Sequence, residues 1–344
     1  MSKQYKYISN DGLPYVSRVV ADRLVYLLPF DDALEDQDEW VIPAVKILKD
    51  EVAAGRCLPW YGGNNNYKMS ATYLGPDLGR CFVQVGAQKR EHQRGGVRID
   101  LNPSKLSARD VAAIHTFLRQ ILGDRYDRLR TKALLNRLDV AADVVNVLVD
   151  DLHVEYKHSQ FRTVLTKFIR INCSRVESVR FGSFSSDYSS LVYDKQAELL
   201  DKIVKKITKT GYAGGCTSLR QQGITQLKLA WDQPSVTRFE VRCERLGGVR
   251  VSELLNLENR FRRFKVWGPE TLLDIPEPFQ TAFRSVCRDL GVKAAVKLFS
   301  EHRQYDELKH RFNSQASWWK PDTLWSIGIN HLRNTQLFPK QSFD

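Results

Sequence analysis

The chain has 344 residues, 42% hydrophobic and 27% charged, a globular composition long enough for one large domain or two smaller ones, which excludes disorder as the default. A formal net charge of +12 and an isoelectric point near 9.4 create a positive field suited to a polyanion, of which nucleic acid is the commonest. No long uncharged apolar run and no basic amphipathic stretch with a bulky apolar face occurs, so a membrane partner is not expected.

The opening Met1, Ser2, Lys3, Gln4 and Tyr5 lacks the apolar segment of a secretory signal, and a cytoplasmic location is expected. Six cysteines (Cys57, Cys81, Cys173, Cys216, Cys243 and Cys287) form no Cys-x-x-Cys pair. They read as reduced core thiols rather than zinc ligands or a disulfide framework. His153 and His158 are five apart and make no His-hydrophobic-His pair, so any metal is expected to be held by carboxylates.

In chain order, residues 23–30 read as an early strand stopped by Pro29, followed by an acidic loop to Glu39. Gly62, Gly63 and Asn64 to Asn66 supply turn chemistry. Residues 82–87 and 97–101 alternate apolar with polar around a basic turn, which predicts a hairpin. The stretch 107–122 has Ser107 as N-cap, Asp110 in its first turn and apolar Val111, Ile114, Phe117, Leu118 and Leu122 at helical spacing. Beyond it the pattern predicts a strand at 134–144, a helix from about Val147, strands at 179–184 and 191–193, a helix at 195–209 and a strand at 236–245. Strands mixed with helices and joined by hairpins predict an α+β fold, an antiparallel sheet covered by helices. From Leu246 onward the reading turns helical, with helices expected at 251–264, 278–290, 293–305 and 318–330.

Two strands carry acids. Alternation along 136–144 puts Leu138, Val140 and Ala142 on one side and Arg137, Asp139, Ala141 and Asp143 on the other. Along 237–245, Phe239, Val241 and Cys243 oppose Arg238, Glu240, Arg242 and Glu244. Either polar face alone is accounted for by cross-strand ion pairs on a half-buried strand. A third segment, Leu191, Val192, Tyr193, Asp194, Lys195 and Glu198, places a tyrosine between a strand and a charged helix. Together the three supply hard oxygen ligands, basic residues for phosphate and a hydroxyl nucleophile, the needs of metal-assisted phosphoryl transfer.

These motifs, in this order, resemble the replication initiator endonuclease of filamentous phages (the gene II protein type) and, more distantly, the rolling-circle plasmid initiators of the Rep_trans family. The resemblance spans residues 20–246 and rests on Leu24 to Phe30, Val97 to Lys105, Arg137-Leu138-Asp139, the segment around Tyr193 with Lys195 and Glu198, and Arg238 to Arg242. It implies a catalytic nicking and joining domain over residues 1–246 and a helical region over 247–344 that serves DNA recognition or support. It further implies that Tyr193 attacks a phosphodiester at a replication origin, forms a 5′-phosphotyrosyl link, frees a 3′-hydroxyl that primes synthesis, and later rejoins the strand. A free phenol has a pKa of about 10, so Lys195 or a metal's field is expected to activate it.

Under this resemblance Mg²⁺ or Mn²⁺ is the expected cofactor, with Asp139, Asp143 and Glu240 as ligands and Glu198 as a fourth. Arg137, Arg238 and Arg242 are expected to orient carboxylates or clamp phosphate. Many plasmid initiators carry arginine two residues before the tyrosine, and this chain has Leu191 there. Tyr188, in the loop 185–190, is the rival nucleophile. Lys195, Lys202, Lys206 and Lys209 recur on one helix face as a track for DNA, against which stands a merely solvated face. Arg262 and Arg263, inside the cation-aromatic run 260–267, are further DNA contacts, unless those aromatics are core. Trp318, Trp319 and Trp325 read as packing anchors. Expected partners are single-stranded or locally melted origin DNA, with a host helicase and polymerase. A non-catalytic origin-binding regulator, and a relaxase or transposase using the same tyrosine chemistry, are the alternatives.

Overall fold

The computed structural model describes residues 13–29, 38–60, 66–88, 95–157, 159, 162–170, 173–183, 189–212, 221, 224–225, 235–246, 248–301 and 307–340. In chain order its strands and helices are β1 (Tyr15–Pro29), α1 (Asp38–Ala53), β2 (Cys57–Pro59), β3 (Tyr67–Leu74), β4 (Arg80–Ala87), β5 (Gly95–Leu101), α2 (Ala108–Leu122), α3 (Arg125–Thr131), β6 (Leu134–Val145), β7 (His153–Tyr156) and β8 (Arg162–Arg170). They continue as β9 (Cys173–Phe181), β10 (Ser190–Asp194), α4 (Lys195–Tyr212), β11 (Val236–Cys243), β12 (Val249–Arg250), β13 (Phe264–Trp267), α5 (Glu277–Leu290), α6 (Val292–Ser300), α7 (Leu308–Arg311) and α8 (Pro321–Asn334).

One large antiparallel sheet dominates, in the order β2-β3-β4-β5-β1-β6-β11-β10-β9-β8, with β12 also paired to β6. The architecture is therefore α+β, as the sequence predicts. Its centre is β1, which pairs with β5 on one side and β6 on the other. Alternation sorts the side chains: Leu24, Tyr26, Val83, Ile99, Leu138, Val140, Phe239 and Val241 are buried on one face, against Ile114, Leu118 and Ile329 of the helices. The other face carries the polar set.

The pattern reads α2 correctly to its cap. Ser107 Oγ accepts from the Asp110 backbone N–H at 3.0 Å, and the Asp110 carboxylate accepts in return from the Ser107 N–H at 3.0 Å. Asp110 also accepts from the N–H groups of Asp77 at 2.9 Å and Gly79 at 3.3 Å, tying the β3–β4 turn to the helix. A Cβ on Gly75 or Gly79 would lie 2.2 or 2.6 Å from that carboxyl group, so both positions need glycine for close approach.

Three expectations are corrected. The helix expected from Val147 is a single 3-10 turn (Val149–Asp151) leading into β7; Asn146 ends β6 at a φ of +62°, a left-handed value that asparagine tolerates better than most residues. The helix expected at 251–264 is two 3-10 turns (Val251–Asn256 and Arg260–Arg263) followed by β13, which pairs with β7. Buried Val251 and Leu254, and again Phe261 and Phe264, stand three apart, a spacing that both kinds of helix satisfy. Finally, α1 occupies a stretch the sequence reading assigns to no element, with Pro43 inside it.

The core does not stop at residue 246. Helix α8 lies on β1 and β6, where Gly328 comes so close that an added Cβ would sit 2.3 Å from Val140 Cγ1. Trp319 packs on Phe239 at 4.5 Å between ring centroids, and Trp319 and Trp325 are buried, as packing anchors should be. A second cluster, built from Trp267, Leu272, Phe283, Cys287, Ala295 and Phe312, binds β13 to α5, α6 and α7. Among the described residues, the thiols of Cys57, Cys81, Cys243 and Cys287 are buried and unbridged, and burial pushes those of Cys57, Cys243 and Cys287 up to about 12. No helix among the described residues is long and apolar enough to cross a membrane.

Candidate active site

The polar face of the sheet lines a groove of about 1240 Å³ that reaches from Trp60 and Phe82 to Tyr193 and Lys195. Local strand geometry explains its chemistry. The register of β1 against β6 shifts between Ala21 and Arg23, and such a bulge puts two consecutive residues, Asp22 and Arg23, on the groove side. On β6, Arg137 and Asp139 line the groove, and on β11 Arg238, Glu240 and Arg242 do so, as period-two alternation requires.

Tyr193 is the next-to-last residue of β10 and is 9% exposed. Its hydroxyl donates to Glu240 Oε2 at 3.4 Å and accepts from Lys195 Nζ at 3.5 Å. Burial, then the Glu240 carboxylate, pushes the phenol well above its usual range, against the opposing field of Arg238. Burial, then the Arg238 charge, pushes the Lys195 ammonium down, and Lys195 donates to Glu198 at 2.5 Å. Glu198 also receives Lys202; burial raises its carboxyl, and the two lysines more than offset this, leaving it below its ordinary value.

The carboxylates expected to gather as one ligand set are divided among different cations. Asp143 is clasped by Arg238 at 2.5 and 2.7 Å, and the same guanidinium reaches Asp22 at 3.2 Å. Arg137 forks onto Asp139 at 2.8 and 2.6 Å and reaches Glu244 at 2.6 Å. Arg242 donates to Glu240 at 2.7 Å. Among the described residues, no three His, Cys, Asp or Glu side chains converge as a metal cage. Asp139 and Glu240 are diagonal neighbours across the strands: Asp139 faces Arg242 and Glu240 faces Ala141. Burial, with a further push from Glu240, raises the Asp139 carboxyl to about 6 despite Arg137.

The remaining expected residues fall in different places. Lys202 lines the groove. Lys206 and Lys209 lie on α4, but their side chains, like the whole of Tyr188, fall outside the described residues. Arg262 pairs with Asp322 at 2.5 Å and Arg263 with Glu258 at 2.8 Å, and neither lines the groove. The aromatics between them, Phe261, Phe264 and Trp267, are core.

Sequence reasoning missed Asp22, Asp100 and Asn102. Burial raises the Asp22 carboxyl, but Arg238 and then Lys195 outweigh it and hold the group below its ordinary value; Asn102 donates to it at 3.3 Å. Asp100 is gripped by Arg23 at 3.1 and 2.8 Å and by Arg98 at 3.0 Å. Asp100 and Asn102 belong to one of the quoted motifs, and only the fold shows that this motif borders the groove.

No family model and no curated protein matches the chain. Among solved structures it is similar to the rolling circle replication initiator protein from Geobacillus stearothermophilus, at 15% identity and a TM-score of 0.33, over 66% of this chain and 74% of that one.

Proposed function

We propose that the chain initiates rolling-circle DNA replication by nicking one strand of an origin through Tyr193 and later rejoining it. The observation that carries this reading is the position of the Tyr193 hydroxyl, inside a polar groove between the Lys195 ammonium and the Glu240 carboxylate. Glu240 Oε2 accepts from that hydroxyl and is the group in place to take its proton. The phenolic oxygen then bonds to phosphorus as the bond from phosphorus to the 3′-oxygen breaks. The 5′-phosphate stays on the tyrosine, and the 3′-oxygen is protonated to a free hydroxyl. A phosphotyrosyl ester keeps the bond energy that water attack would discard, so a 3′-hydroxyl can reverse the step and close the strand.

Lys195 and Arg242, whose side chains remain 31% and 22% exposed, are the cations able to meet the phosphate oxygens, while Arg238 acts from below by fixing Asp143 and Asp22. Mg²⁺ is usually bound by one or two carboxylates, with substrate phosphate and water completing its shell, a pattern that Asp139 and Glu240 fit. A bound Mg²⁺ or Mn²⁺ would supply positive charge for the developing oxyanion. Asp143, which does not line the groove, and Glu198, held by both Lys195 and Lys202, have supporting roles. Origin DNA, single-stranded or locally melted, is the proposed substrate, and a host helicase and polymerase in a bacterial cytoplasm are the proposed partners.

One observation favours a second reading, an origin-binding regulator without catalysis. The groove carboxylates Asp100, Asp139 and Glu240 each pair with an arginine, which offsets the repulsion they would otherwise exert on phosphate. Cleavage of single-stranded oligonucleotides with Mn²⁺, read as protein-linked DNA on a denaturing gel, separates the two. An adduct supports the nicking reading; tight binding with no adduct under any origin-derived sequence leaves the regulator.

A further inference from the structure

The end of the groove far from Tyr193 is chemically different. Trp60, just after β2, is 54% exposed, although tryptophan is among the costliest side chains to leave in water. The other described tryptophans are buried or half-buried. Its ring stands edge-on to Phe82 of β4, with centroids 5.3 Å apart at 66°, so the indole is propped rather than loose. Leu78, 80% exposed, and the cations Arg80 and Arg98 line the same end. Arg98 is fixed by Gln84 Oε1 at 2.9 Å and Asp100 at 3.0 Å, and Gln84 in turn donates to Ser70 at 3.0 Å. The β3–β4 turn that carries Leu78 is anchored by the buried Asp110.

We infer that Trp60, supported by Phe82 and flanked by Arg80 and Arg98, is a stacking subsite for an unpaired base of single-stranded DNA, several nucleotides from the one attacked. An exposed aromatic beside two cations, one of them fixed, fits a strand whose bases are apolar-faced and whose backbone is anionic, and such stacking is tolerant of sequence. A duplex hides its base faces and cannot use the ring. Five interstrand spacings of ~4.8 Å separate β4 from β10, or about 24 Å along the sheet, so one continuous strand must cross the acid-arginine ladder between the two ends. The inference rests on the nicking reading for the identity of the strand, yet the binding it describes is measurable without cleavage.

The test uses the full chain carrying Tyr193→Phe and a fluorescently labelled 16-mer of thymidine, with an abasic strand of the same length and a duplex as controls, followed by anisotropy. Trp60→Ala should weaken binding to the thymidine strand roughly 5- to 150-fold, the range that corresponds to losing one stacked base. It should leave the abasic strand and the duplex within twofold. Trp60→Phe should recover most of the loss, and Arg80→Ala should weaken thymidine and abasic strands alike. Unchanged affinity of Trp60→Ala for the thymidine strand, or an equal loss on the abasic strand, overturns the inference. Protein-DNA adduct formation by the chain with Tyr193 intact is scored separately, so failure of the nicking reading and failure of the subsite are told apart.

Discussion

Arg238 and Asp143 face each other in register across β11 and β6, and the guanidinium closes on both carboxylate oxygens at 2.5 and 2.7 Å. Both are buried, and Arg238 is also the cross-strand neighbour of Tyr193 on β10. This one side chain therefore joins the central strands to the proposed nucleophile. Arg238→Ala should destabilise the fold by about 3–5 kcal/mol, because it leaves Asp143 buried without its cation. Arg238→Lys keeps the charge but loses the fork and should fall between. Urea unfolding of the three proteins checks the order; a cost below 1 kcal/mol for Arg238→Ala would contradict it.

The raised Asp139 carboxyl makes a pH prediction. Its folded value, about 6 against an ordinary 3.8, means that the folded chain holds this proton more tightly than the unfolded one. The stability contributed is fully present below the unfolded value and is lost as pH rises through 6, about 3 kcal/mol at ~1.4 kcal/mol per unit. Asp139→Asn should flatten the stability profile between pH 4 and 6. Mg²⁺ or Mn²⁺ should raise the melting temperature of the natural chain above pH 6 and leave Asp139→Asn unmoved, a readout independent of cleavage.

His153 predicts the opposite slope. It is buried at 2% exposure against the edges of Phe283 and Phe312, and burial, then Arg284, pushes its imidazole down to about 3. The folded chain refuses a proton that the unfolded chain accepts near 6.5. Stability from this group is therefore present above 6.5 and lost as pH falls towards 3, about 2 kcal/mol by pH 5. His153→Phe should remove that loss; an unchanged acid limb measured by denaturant titration would argue against it.

Gly328 tests how the C-terminal helix is seated. With Val140 Cγ1 only 2.3 Å from where a Cβ would stand, Gly328→Ala must push α8 off the sheet or force Val140 from its rotamer, at a cost of about 1–3 kcal/mol. A paired Val140→Ala change should recover part of the loss. Stability equal to the unmutated chain in Gly328→Ala alone would mean that α8 sits further from β6 than described.

Much of the fold is legible in the sequence because alternation is a local signal: β6 and β11 could be assigned, with their buried and polar faces, from residues 136–144 and 237–245. The cap of α2 was legible for the same reason, since Ser107 and Asp110 stand three apart. The division of the carboxylates was not. Asp139, Asp143 and Glu240 look equivalent in sequence, and only the register of β1, β6 and β11 shows that Arg238 takes Asp143 while Asp139 stays near Glu240. Asp22 was hidden because it reaches the groove through a bulge, which breaks the very alternation used to sort faces. Trp60 was hidden because exposure is a tertiary property.

The central claim is that the Tyr193 hydroxyl makes the bond to phosphorus. The direct measurement is formation of a denaturation-resistant adduct between the chain and labelled single-stranded origin DNA in Mn²⁺, compared for the unmutated protein, Tyr193→Phe and Tyr188→Phe. The account predicts an adduct in the first and third and none in the second, with the labelled peptide after proteolysis containing residue 193. An adduct that persists in Tyr193→Phe and disappears in Tyr188→Phe would contradict it, and would leave Tyr193 as a hydrogen-bonding partner of Glu240 and Lys195 rather than the nucleophile.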